Sequence, residues 1–157
     1  MRIDELMTRP VHTCRADERL SAAAQIMWER DTGFVPVVND DNRPIGAITD
    51  RDICMATHFR GLPPAAIRVA DVMTTPIHTV RTTDSISVAE ILLRRHQIRR
   101  LPVVDAGGAI VGVLSLNDIA LVTGGSLNGD GIHARAFAAT LAAISQHRNE
   151  ALQTIRA

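Results

Sequence analysis

The chain has no tyrosine, one tryptophan and three phenylalanines among 157 residues. So few aromatics leave little for stacking unpaired bases. The balance of 17 basic against 17 acidic residues removes any overall pull toward nucleic acid or an anionic membrane. No apolar run reaches membrane-spanning length, and Met1-Arg2-Ile3-Asp4-Glu5 does not open a signal peptide. Two cysteines, Cys14 and Cys54, are too few for a disulfide framework or a zinc site, and read as small buried residues in a reducing cytoplasm. No Ser-His-Asp pairing, Walker loop or G-x-G-x-x-G stands out, so nothing points to an enzyme. What remains is an ordinary globular composition, long enough for one compact domain or two small repeats.

The chain then says most things twice. Gly46-Ala47-Ile48-Thr49-Asp50-Arg51-Asp52 returns, 66 residues on, as Gly112-Val113-Leu114-Ser115-Leu116-Asn117-Asp118. At the same offset Met7-Thr8-Arg9-Pro10-Val11-His12-Thr13 matches Met73-Thr74-Thr75-Pro76-Ile77-His78-Thr79, and Pro36-Val37-Val38 matches Pro102-Val103-Val104. No gap is needed between Met7 and Ile119, so one supersecondary unit is duplicated.

Within a unit the periods are legible. A short strand, Val11 to Cys14 or Ile77 to Val80, follows the proline turn. Leu20, Ala23, Ala24 and Met27 fall at i, i+3, i+4, i+7, and Ile86, Ala89 and Leu93 mark the equivalent helix face. Ser87 with Glu90 resembles a capping box. Phe34 to Val38 and Leu101 to Val104 are continuous apolar runs suited to strands buried on both faces. Polar or Gly-rich turns lead into third strands, Ile45 to Thr49 and Ile110 to Ser115, and then a helix. The expected order is β-α-β-β-α, with residues 1–62 as the first unit, 63–70 as a linker and 71–125 as the second.

The duplicated turn carries the chemistry. Thr49 and Asp52, like Ser115 and Asp118, sit where a strand enters a helix, and the free N–H groups and dipole there favour an anion. A hydroxyl can meet a phosphate, and a carboxylate can accept from two ribose hydroxyls. A plainer reading makes Thr49 and Ser115 helix caps with an Asp in the first turn.

The P-V-x-T run, the h-P-V-V strand and the G-h-h-[TS]-x-x-D-I turn, in tandem, resemble a stand-alone pair of CBS domains (a Bateman module) from Ile3 to Thr123. The resemblance implies an α/β fold of two units packed about a pseudo-two-fold axis, with two clefts between them. It also implies a non-enzymatic regulator that needs no cofactor. Such a module binds an adenosine compound (AMP, ADP, ATP or S-adenosylmethionine) and signals to a client protein, commonly as a homodimer. By that resemblance Asp52 and Asp118 take ribose hydroxyls, with Thr49 and Ser115 near the ribose or first phosphate. Thr13 and Thr79 border the adenine, and Val35 and Leu101 line it. Arg99-Arg100 fits a phosphate-holding basic pair. The first unit has Gly33-Phe34 there instead, and Arg51 is left as its cation where the second unit has Asn117, so two unequal sites are expected. The alternative is a structural or interaction module with vestigial sites.

Three features lie outside those motifs. His12 and His78 hold equivalent positions but lack further metal ligands, so packing at a strand edge is the expectation. Trp28 is assigned to packing or an interface. After Asn128-Gly129-Asp130-Gly131, residues 132–157 contain no Gly or Pro. Phe137, Leu141, Ile144, Leu152 and Ile155 make one helical stripe there, expected to pack on the module or a dimer partner.

Overall fold

Leu20, Ala23 and Met27, spaced for one helix face, are all buried along α1 (Leu20–Glu29), and that face lies on a three-stranded sheet. The computed structural model describes residues 1–125 and 132–146. In the first unit β1 (Cys14–Arg15) runs parallel to β2 (Phe34–Val38), which pairs antiparallel with β3 (Pro44–Thr49), and α2 (Asp50–Arg60) follows. The second unit repeats this with β4 (Val80–Arg81), α3 (Ile86–His96), β5 (Arg100–Val104), β6 (Ile110–Ser115) and α4 (Leu116–Gly125). Even the bulge recurs, between Val37 and Val38 and between Val103 and Val104. The first strands are shorter and later than expected, because only the residue pairs beyond Thr13 and Thr79 reach the sheet.

Both β-strand-linking helices end alike. Asp31 and Gln97 take the left-handed conformation (φ 48° and 50°), and the next N–H, from Thr32 or Ile98, bonds back to Met27 or Leu93. The expected Ser87–Glu90 capping box does not form. The N-cap position is Ser85, whose side chain makes no cap hydrogen bond; this puts Ser87 inside the first turn, and Glu90 is buried.

The two units exchange their leading segments. Ile3 and Met7 are buried in the core of the second unit, beside Leu93, Leu101 and Leu114. Ile67 and Val69, preceding the second unit, are buried in the core of the first. Residues 63–70 thus pack as they connect, with a 3-10 turn, Pro64–Ala66, against α1. Each Met-Thr pair continues the crossing. Thr8 exchanges backbone hydrogen bonds with Val113 (2.9 and 3.2 Å), and Thr74 with Ala47 (2.9 and 3.2 Å). The free edges of β6 and β3 are covered in this way. The crossing also explains the repeated glycine. A Cβ on Gly112 would stand 2.6 Å from Met7 Sδ and 3.1 Å from the Thr8 carbonyl oxygen, and one on Gly46 3.0 Å from Met73 Sδ.

Beyond the repeat, α5 (Ile132–Ser145) packs on α3 and α4 of the second unit. Phe137, Thr140 and Ile144 face that core, and Thr140 satisfies its buried hydroxyl on the Ala136 carbonyl at 3.0 Å. Leu141 lies off the contact, 43% exposed, and the expected stripe residues Leu152 and Ile155 lie outside the described residues. The first unit carries no such cover among the described residues. Trp28 on α1 is 89% exposed and Phe59 on α2 77%.

Candidate functional site

Both hydroxyl-x-x-Asp turns are reciprocal caps. The Thr49 N–H and hydroxyl both donate to Asp52 Oδ2 (2.8 and 2.7 Å), and the Asp52 N–H returns to Thr49 Oγ1 at 3.2 Å. Ser115 and Asp118 reproduce this at 2.7, 2.7 and 3.2 Å. The plain capping reading is therefore correct as geometry, yet it uses one carboxylate oxygen. Among the described residues the other oxygen of Asp118 accepts only a long bond, 3.4 Å, from the Thr8 hydroxyl across the unit boundary.

Asp118 lines a cavity of about 290 Å³ built from both units. Ser115, Asn117, Asp118 and Arg100 come from the second unit. Thr8, Val11, His12, Arg30, Asp31, Phe34 and Pro36 come from the first. The capped turn supplies the acceptor, the C-cap of α1 delivers Arg30, and the proline turn brings in Val11 and His12. Arg100 lies over the Phe34 ring, 6.0 Å from its centroid. Phe34 and Arg100 are repeat equivalents, so this contact straddles the pseudo-two-fold axis.

The expected site residues divide. Arg100, Ser115 and Asp118 converge on this cavity. Val35 and Leu101 do not; both are fully buried in the two cores. Strand alternation turns Phe34 and Pro36 toward the cavity and Val35 toward the helices. Arg99 is exposed, and its carbonyl holds the start of α4 by accepting from the Leu116 N–H at 2.9 Å. Thr13 is half-buried next to His12 and is not on the wall. Thr79 lies in a second cavity at the far end of β5. Thr49, Arg51 and Asp52 belong to the other turn, where Arg51 is exposed in the first turn of α2. Arg30 was not legible in advance, because its repeat equivalent is His96 and no basic pattern marks the place.

The second turn's surroundings differ. His78 and His96 occupy the positions that His12 and Arg30 hold in the Asp118 cavity, and their rings are stacked at 3.5 Å and 18°. The His96 imidazole is held below its usual pKa by desolvation first, and then by the charges of His78 and Arg95. Among the described residues no group of three or more His, Cys, Asp or Glu could hold a metal ion. Cys14 is no nucleophile: burial, with Glu18's charge adding, pushes its thiol up to about 12.

Two duplicated β-α-β-β-α units, each with a capped hydroxyl-x-x-Asp turn leading into its last helix and one of those turns lining a cavity shared by both units, define a CBS-domain pair. The family model for the CBS domain matches residues 3–58 and 69–123, and the chain belongs to that family. It is 34% identical over 116 residues to hypoxic response protein 1 of Mycobacterium tuberculosis, covering 74% of this chain and 80% of that one. A crystal structure of that protein, with two coordinated zinc ions, superposes with a TM-score of 0.67 over 78% of this chain and 98% of its own. An uncharacterized protein of Methanopyrus kandleri, MK0525, is 33% identical, but the match spans 74% of this chain and only 60% of that relative. The CBS domain protein PAE2072 of Pyrobaculum aerophilum, solved complexed with AMP, is 29% identical with a TM-score of 0.70, covering 79% of this chain and 97% of that one.

Proposed function

We propose that this chain is a non-enzymatic regulatory module that binds an adenosine mononucleotide in the Asp118 cavity and presents the result to a client protein. The observation that carries the reading is convergence. A carboxylate oxygen left over from the helix cap shares one cavity with the guanidiniums of Arg30 and Arg100 and the imidazole of His12. Asp118 Oδ1 takes the ribose hydroxyls, the basic groups take the phosphate, and Val11, Phe34 and Pro36 provide the apolar wall for the base. The cavity is at the lower end of small-molecule sites, which favours a monophosphate over ATP. Its two guanidiniums favour a phosphate over the cationic S-adenosylmethionine. The AMP complex of PAE2072 supports the same class. Self-association into a homodimer fits the exposed Trp28 and Phe59. No helix among the described residues is long and apolar enough to cross a membrane, and a cytoplasmic setting is part of this reading.

Calorimetry with AMP, adenosine and UMP tests it. AMP is expected to bind, and Asp118→Ala to weaken it about tenfold or more, since charge-assisted hydrogen bonds are worth roughly 1.5–3 kcal/mol each. Arg100→Ala should weaken AMP more than adenosine, and Asp52→Ala should spare this event. If no adenosine compound binds, the module is an interaction scaffold with vestigial sites.

A further inference from the structure

The second cavity, about 470 Å³, lies at the opposite end of β5 from the nucleotide cleft. Arg100, the first residue of that strand, faces one cavity, and Val104, the last, lines the other. Its wall is made by Thr79, Arg81 and the turn after β5, with Arg43 reaching in from the first unit.

The internal repeat provides a built-in control. In the first unit Arg15 is ion-paired with Asp40, and Asp17 stands 3.7 Å away. Both carboxylates raise the pKa of Arg15, Asp40 first. In the second unit Arg81 replaces Arg15, but Ala106 stands for Asp40 and Thr83 for Asp17. The Arg81 guanidinium has thus lost those two carboxylates while keeping its place on the strand; Asp84 keeps the place of Glu18, and Asp105 stands where the first unit has Asn39. Arg43, whose equivalent is Ala109, is brought alongside by the docking of its own turn. The Ile110 N–H donates to the Asn42 carbonyl at 2.9 Å, and Asn42 Nδ2 donates to the Ile110 carbonyl at 3.4 Å. Gly108 takes the φ of +86° that this turn requires, and Arg43 lies over it, its Nε 3.7 Å from where a Cβ would stand, an ordinary contact distance. Two carboxylates share the wall with the two guanidiniums, and one oxygen of each accepts from the backbone. Asp84 Oδ2 accepts from the Arg81 N–H at 2.8 Å, and Asp105 Oδ1 from the Ala109 N–H at 3.0 Å.

We propose that this cavity is a second, separate anion site, taking a phosphoryl group on Arg43 and Arg81 with the Thr79 hydroxyl as a further donor. Guanidinium pairs match phosphate oxygens with two parallel bonds, which a halide cannot use. The site is independent of the nucleotide reading, because it shares no wall residue with the Asp118 cavity.

The test titrates inorganic phosphate and AMP separately, at constant ionic strength with chloride as control, and follows amide shifts by NMR. Saturable shifts at Gly107 and Gly108 are expected with phosphate and not with chloride. The decisive variant is Ala106→Asp, which restores the carboxylate that Asp40 gives Arg15 at an exposed turn position. It should weaken phosphate about tenfold or more, as should Arg81→Ala, while Asp118→Ala leaves these shifts intact. If AMP also moves Gly107 in the Asp118→Ala protein, the source is a nucleotide phosphate; if only phosphate does, it is the free anion. Non-saturating shifts, shifts confined to Ser115 and Asn117, or an unchanged affinity in Ala106→Asp would overturn the proposal.

Discussion

At the scale of single residues the repeat shows how small exchanges make two sites unequal. Arg30 becomes His96, Phe34 becomes Arg100 and Asn117 takes the place of Arg51, while both Asp caps stay the same. The His78–His96 stack is the sharpest consequence. His96 titrates below its usual 6.5 because desolvation, and then His78 and Arg95, disfavour its charged form. The unfolded chain therefore binds that proton more readily. The stabilisation is complete above about pH 6.5 and is lost as pH falls through that value toward the lower folded one. We predict that the urea midpoint falls between pH 7.5 and 5.5, and falls less in His96→Asn. Equal declines in both proteins would show that the stack is not the source.

Residue-scale reading also marks where the sequence was legible. The hydroxyl and Asp of each turn were identifiable because they recur in register. Which face Val35 and Leu101 take was not, since an unbroken apolar run hides the pleat. The Met7–Gly112 contact was hidden too, because no local rule links a methionine to a glycine in the other unit's strand.

At the scale of elements, the order β-α-β-β-α follows from spacings that the sequence repeats, and the structure departs from it only where elements meet distant partners. The leading segments look like plain connections in sequence because their apolar residues are few: Ile3 and Met7, or Ile67 and Val69. Their burial is decided by the other unit. The same holds for α5, whose apolar positions were visible but whose partner was not. Its contact face runs through Phe137, Thr140 and Ile144, while Leu141 turns outward. Ile144 is 8% exposed and packs with the second unit's core. Truncation of such a side chain typically costs about 2–5 kcal/mol. Ile144→Ala is therefore expected to lower the melting temperature clearly while leaving AMP affinity within about twofold, since α5 lines neither cavity wall. Leu141→Ala, on the exposed side, should change little. A variant at Ile144 that kept full stability would show that α5 does not depend on this contact.

At the scale of the whole molecule, each unit is completed by the other. The Met-Thr segments cross in both directions, and the Asp118 cavity takes walls from both units. A ligand there can shift how the units are held only by binding one arrangement better than another. The Thr8 and Val113 amides, which bond across the boundary, report on that arrangement directly. At 100 times its dissociation constant AMP would add about 2.7 kcal/mol against any opening that separates the units, slowing exchange of these two amides by up to about a hundredfold. Amides near the end of α2, such as Phe59, exchange by local fraying and should be unaffected. Linkage requires the converse. Gly112→Ala sets a Cβ against Met7 Sδ and the Thr8 carbonyl, straining the crossing by about 1–3 kcal/mol. It is therefore expected to weaken AMP, although Gly112 does not line the cavity. Hydrogen exchange with and without AMP, in wild type and Gly112→Ala, checks both halves. Protection at Thr8 and Val113 with unchanged affinity in Gly112→Ala would break the linkage. The ligand would then be read locally, at the Asp118 turn, and not through the docking of the two units.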